Sequence, residues 1–145
     1  MNLKFIIIPI IVWVVGQSIK FLVYILKGGI ISKKNVSWIY QWAGGSPSTH
    51  AAMLTSSLYL LGKYNGFDAI FGFAFVVALL LMYNLLADKK KQELFEKHLK
   101  NSKDHSLQKI VREGNLLDIS GHTYFEVVSG VIFGLAASII LANLI

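Results

Sequence analysis

Residues 3–26 form an almost continuous apolar run, from Leu3 to Leu26, with Gly16, Gln17, Ser18 and Lys20 as interruptions. At 1.5 Å of rise per residue, about 20 such residues cross the hydrocarbon core of a bilayer. Lys4 ahead of the run resembles the start of a signal peptide. No small-residue cleavage site follows, however, and the run is long, so a retained membrane helix is expected.

Composition agrees with that reading. Of 145 residues, 54% are hydrophobic and only 15% charged, and the mean hydropathy is +0.57. A soluble domain carries about 25% charged residues. The length fits a single domain, 1–145. The absence of cysteine excludes a disulfide framework, a zinc-thiolate site and a cysteine nucleophile. The formal net charge of +6 fits basic loops facing anionic lipid headgroups. Nucleic acid is not an expected partner, because no basic stretch is interleaved with aromatic residues.

Four spans are expected, at 3–26, 48–62, 67–87 and 122–145. The fold class is all-α, an integral membrane helical bundle with a basic amphipathic surface segment. Lys27 to Ser46 breaks the first apolar run, and Trp38, Tyr40 and Trp42 beside basic residues suit a membrane interface. Pro47 suits the first position of the second helix, with Ser46 as its cap. Lys63 to Gly66 reads as a tight turn. Asp88 to Asp118 then holds eight of the 14 lysines and arginines, and Leu94, Phe95 and Leu99 give part of it an amphipathic pattern. Four crossings put both basic loops on one side, which counting Lys and Arg assigns to the cytoplasm.

Two histidines open two helices on that side. His50 lies in Ser46-Pro47-Ser48-Thr49-His50, and His122 in Ser120-Gly121-His122-Thr123-Tyr124-Phe125-Glu126. Backbone N–H groups at helix starts favour an anion. His122 and Glu126 are four apart and share a helix face, where a carboxylate can orient an imidazole. Thr123 and Glu126 also match a capping box, so the same carboxylate has a purely structural alternative. Lys20 lies about 10 Å deep in the first span. It either snorkels past Tyr24 or points inward to a phosphate, with Gln17 on its face. Lys89, Lys90 and Lys91 close the third span, as membrane anchors or as further anion ligands, and Asn84 and Asp88 precede them. Gly130, Gly134 and Ser138 recur every four residues, as in close helix packing. His98 and His105 are expected to be solvated. No two histidines have a local metal-ligand spacing, so no metal or other cofactor is expected.

In order, Gln17-x-x-Lys20, Gly44-Gly45-Ser46-Pro47-Ser48-Thr49-His50-Ala51-Ala52, Met82-Tyr83-Asn84 leading to Lys89-Lys90, and Gly121-His122-Thr123-x-x-Glu126-Val127 resemble the divergent type 2 phosphatidic acid phosphatase family. These are small bacterial and plant membrane proteins related to acid phosphatases and vanadium-dependent haloperoxidases. The likeness runs through nearly the whole chain. It implies a bacterial cell membrane protein that hydrolyses a lipid phosphate or diphosphate through a phosphohistidine, without a metal. It implies His122 as nucleophile, Glu126 as its orienting partner and His50 as the acid. Lys20, Ser48, Thr49, Lys89 and Lys90 become phosphate ligands, with Gln17, Asn84 and Asp88 behind them. Departures from the family pattern are Leu116 in place of an arginine, Asn84 in place of an aspartate, Thr49 in place of a glycine, and lysines for two arginines. Lysine keeps the charge but loses the bidentate fork. A phosphate-lipid binding or regulatory protein with weakened turnover is the alternative, and a structural or transport subunit a third reading. A homodimer is a reasonable assembly for so small a bundle.

Overall fold

A computed structural model describes residues 3–28, 45–100 and 121–144. The described residues are all-helical: α1 (Lys4–Leu26), α2 (Thr49–Asn65), α3 (Ala69–Lys100) and α4 (Tyr124–Leu144). The expected interface aromatics Trp38, Tyr40 and Trp42, together with His105 and Leu116, lie outside the described residues.

Among the described residues three helices, α1, α3 and α4, are long and apolar enough to cross a membrane. They leave Ile6, Ile10, Leu22, Phe73, Val76, Leu80, Ile132 and Ile140 exposed, a surface suited to lipid and not to water. The fourth expected span is α2, whose 17 residues reach about 25 Å. It carries Thr49, His50, Thr55, Ser56 and Ser57, and its length falls short of the ~30 Å hydrocarbon core. It packs against all three other helices. Thr49, Ala51, Ala52, Ser56 and Leu60 are buried there.

Two boundaries differ from expectation. The second helix starts at Thr49, with Ser48 as its cap: the Ala51 N–H donates to Ser48 Oγ at 3.3 Å. Ser46 is not the cap, because its hydroxyl pairs with the Ser129 hydroxyl at 2.8 Å. The helix also continues through the expected turn to Asn65 and ends on Gly66 at φ +80°, which glycine adopts without steric cost. The third helix continues past the apolar stretch expected to span over 67–87. It runs unbroken through the lysines to Lys100, so the described part of the expected surface segment is the continuation of α3. No Gly or Pro interrupts 73–100, and Lys, Glu, Gln and Leu are good helix formers.

The small-residue stripe of α4 seats on α2 of the same chain. A Cβ on Gly130 would collide with the Ser48 carbonyl oxygen, and one on Gly134 with the Ala52 carbonyl oxygen. Further along, Ala142 and Leu60 join Ile8, Val12 and Ala52 in one buried cluster. Helices α2 and α4 therefore run parallel, and α3 is the crossover between them. Their far ends are tied by Lys63 Nζ, which donates to Asn143 Oδ1 at 2.8 Å and the Ala142 carbonyl at 3.4 Å. An ammonium at a helix C-terminus also meets the negative end of its dipole. On the other flank α1 approaches α2 at Gly16, whose added Cβ would lie 2.8 Å from Thr49 Cγ2.

Candidate functional site

The parallel pair brings the starts of α2 and α4 to the same end of the bundle. The Ser48 N–H donates to the Glu126 carbonyl at 3.0 Å, joining the two starts through backbone. His50 is the second residue of α2, and His122 stands two residues before α4. Their rings meet, with His50 Nδ1 3.4 Å from His122 Nε2 and centroids 5.6 Å apart. His122 is held in place by its own N–H, which donates to the Leu85 carbonyl of α3 at 2.9 Å. Beside it Gly121 abuts the Lys89 backbone; an added Cβ would sit 2.5 Å from Lys89 Cα.

Glu126 reaches both Thr123 and His122. Its Oε2 accepts from the Thr123 N–H at 2.8 Å, and the Glu126 N–H donates to Thr123 Oγ1 at 3.3 Å. That is a reciprocal capping box. The same Oε2 stands 3.4 Å from His122 Nδ1. With a proton on Nδ1 facing the carboxylate, the Nε2 lone pair faces His50. In that tautomer His50 Nδ1–H is the donor between the rings.

His122 is fully buried, whereas His50 is exposed. Burial pushes the His122 imidazole below the ordinary histidine range, and the Glu126 charge pulls it back up. The neutral, nucleophilic form is thereby favoured at neutral pH. Lys20 does not snorkel. It is 4% exposed, on the inward face of α1 with Gln17 at 3%, and its charge acts on Glu126 and on both imidazoles. An ammonium buried among these groups is a ready counter-charge for an anion.

The remaining sequence candidates divide. Ser48 is fully buried; its Oγ accepts the cap hydrogen bond, and its O–H stays available to donate. Thr49 is 1% exposed, and its Oγ1 is without a hydrogen-bond partner among the described residues. Lys89 is half-buried beside Gly121, and Lys90 is exposed. Of the three lysines, Lys91 lies 3.6 Å from Asp88, one turn along the helix. Asn84 and Asp88 share a groove with His50. His98 is exposed, with Nδ1 2.8 Å from the Leu94 carbonyl. Among the described residues no group of three or more His, Asp or Glu is arranged to hold a metal. The Leu85 carbonyl and the Ser46–Ser129 hydroxyl pair also belong to the site's frame, and neither carries a motif that announces it in sequence.

Comparison with known proteins gives one result. The model of the divergent PAP2 family matches residues 1–137, and the chain belongs to that family. No curated protein and no solved structure matches it.

Proposed function

We propose that this member of the divergent PAP2 family is a metal-independent membrane phosphatase acting on a lipid phosphate or diphosphate. The single observation that carries the reading is the chain of contacts from Glu126 through His122 to His50, with the buried Lys20 charge beside it. An acid, a nucleophile and a charge clamp are what phosphoryl transfer requires, since positioning and charge neutralisation supply most of its catalysis.

In the proposed reaction His122 Nε2 attacks phosphorus. The bond between phosphorus and the ester oxygen breaks, and His50, which enters this step as the imidazolium beside the bound phosphate, gives its Nδ1 proton to the departing alkoxide and becomes neutral. Glu126 stabilises the His122 ring as it takes on positive charge. Neutral His50 then removes a proton from water, which attacks the phosphohistidine and releases inorganic phosphate and free His122. Lys20, the Ser48 hydroxyl and N–H groups at the start of α2 would hold the phosphate oxygens, with Lys89 at the rim.

The contact between the rings sets a condition. A nucleophile approaches phosphorus at about 3–3.5 Å, and an acid reaches the leaving oxygen at about 2.8 Å. With phosphorus between them, the two nitrogens stand well beyond their 3.4 Å separation. His50 has to turn outward as substrate arrives, and its place on an open groove allows this. Counting basic residues favours a cytoplasmic site.

The test is phosphate release from a panel of lipid phosphates by the detergent-purified protein, with chelator present. His122→Ala should abolish release, and His50→Ala should lower it by about 10²–10⁴-fold. Unchanged turnover in folded His122→Ala protein refutes the mechanism. Lipid binding without release from any substrate favours the binding or regulatory alternative.

A further inference from the structure

We infer that the groove between α2 and α3 beside His50 seats the hydrocarbon chain of a phosphate-bearing lipid, so that substrate enters sideways from the bilayer and presents its ester oxygen to His50 first. The identity of the headgroup rests on the phosphatase reading above; the position of the chain rests on the groove.

The groove has a volume of about 300 Å³. Met53 and Leu54 of α2 and Leu81 and Leu85 of α3 make its walls apolar, and His50, Asn84 and Asp88 make one end polar. An apolar trough ending in a few polar groups is the usual form of a site for an amphiphile. At about 30 Å³ per methylene-sized group, the volume takes roughly ten methylenes, which is the upper part of one chain.

The groove connects to the chemistry through its own wall. Leu85 lines it, and the Leu85 carbonyl accepts the His122 N–H at 2.9 Å. Of the two histidines, His50 lines the groove and the fully buried His122 does not. Moving inward from the groove, the order is therefore His50, His122, Glu126. A chain lying in the groove brings its ester oxygen to the acid and its phosphorus to the nucleophile behind, the in-line order that displacement needs. Asn84, at the polar end, offers an uncharged donor to oxygens near the ester.

A second groove, of about 500 Å³, lies further along α2, between Thr55 and Lys63, with Phe71, Phe75 and Leu135 in its walls. It is larger, yet neither histidine lines it. Its size gives it no connection to the reacting atoms.

Two experiments decide the assignment. In the first, a radiolabelled single-chain lipid phosphate with a diazirine midway along the chain is photolysed with the protein in vesicles. The expected labels fall on Met53, Leu54, Leu81 and Leu85. Labels concentrated at Phe71 and Phe75 or on α1 overturn the inference, as does equal labelling by the corresponding neutral alcohol. In the second, Leu81→Trp fills the groove from an exposed position. The ratio of kcat/KM for the long-chain lipid phosphate to that for a short soluble phosphomonoester should fall at least about tenfold. Leu135→Trp, in the larger groove, should leave that ratio within about twofold. The reverse pattern, or no change in either variant, refutes the groove. Absence of turnover in the unmodified protein refutes the phosphatase reading instead, and the photolabelling then still decides where the chain lies.

Discussion

A single methyl group added at Gly134 tests the helix pair that holds the site together. An alanine Cβ there would stand 2.6 Å from Ala52 Cα and 2.9 Å from its carbonyl carbon, and closer still to the carbonyl oxygen. Carbon atoms rest comfortably at about 3.5–4.0 Å. The obstructing atoms are backbone within α2, so they cannot turn aside as the end of a side chain would. Helix α4 must therefore withdraw from α2 by about 1 Å. Overpacking of this kind costs about 1–3 kcal/mol. At the entropy change typical of a chain of this length, that lowers the melting temperature by roughly 2–12 °C. Catalysis should suffer more than stability. His50 rides on α2 and Glu126 on α4, and a 1 Å misplacement of reacting groups costs about 10²-fold in rate. Gly72→Ala is the internal control, because a Cβ there meets nothing within 4 Å. Alanine in an exposed helix is favoured over glycine by up to about 1 kcal/mol, so this variant should melt at or slightly above the wild-type temperature. Thermal unfolding followed by circular dichroism in detergent, with phosphate release measured on the same samples, reads both effects. Gly134→Ala protein that melts and turns over like Gly72→Ala protein would show that the close approach of α2 and α4 is wrong.

Glu126→Gln separates the two duties of one carboxylate. The Gln carbonyl oxygen can still accept the Thr123 N–H, so the melting temperature should hold. The rate should drop by about 10²–10⁴-fold because the His122 imidazolium loses its counter-charge. The Glu126 charge raises the His122 pKa, so its removal lowers that pKa further, and the acid limb of kcat/KM should move to lower pH. An unshifted limb counts against direct coupling. For Lys20, inhibition by inorganic phosphate is the measurement. Lys20→Met should raise the inhibition constant about 10–100-fold, the worth of one charge-assisted hydrogen bond, with partial recovery in Lys20→Arg. An unchanged constant removes Lys20 from the phosphate site.

Several site features were legible in sequence because local periodicity encodes them. The spacing of His122 and Glu126, the depth of Lys20 in an apolar run, and the four-residue recurrence of Gly130, Gly134 and Ser138 are properties of one helix at a time. The misread features depend on more than one segment. Ser46 and Ser48 both suit a cap, and what separates them is Ser129, 83 residues away, which takes the Ser46 hydroxyl. Spacing alone presents Glu126 as either a cap or a catalytic support. Only the geometry of the first turn of α4 shows that one oxygen reaches both Thr123 N–H and His122 Nδ1. The continuation of α3 beyond its apolar stretch has another reason. Lys89 to Lys91 mark where a helix meets polar surroundings, and an intrahelical hydrogen-bond ladder is indifferent to that boundary. The groove beside His50 has no sequence signature, since its walls come from two helices and its polar end from their register.

That register explains why glycine, more than any charged group, governs this site. In a bilayer the hydrophobic effect does not press helices together, because lipid tails are as apolar as leucine. Association has to come from close van der Waals approach. Gly130 lies on Ser48 and Gly134 on Ala52, equal steps of four residues along both helices. Two parallel helices matched step for step cannot slide without lifting a glycine off its backbone partner. A slip of one turn moves one helix past the other by about 5.4 Å. The histidines stand at the same end of this pair, with ring nitrogens only 3.4 Å apart. No bond within the His50–His122–Glu126 chain is strong enough to oppose such a slip by itself. The two glycines therefore fix the distance between the two imidazoles, although neither touches one. Substitutions in the stripe should accordingly alter kcat well before they unfold the protein.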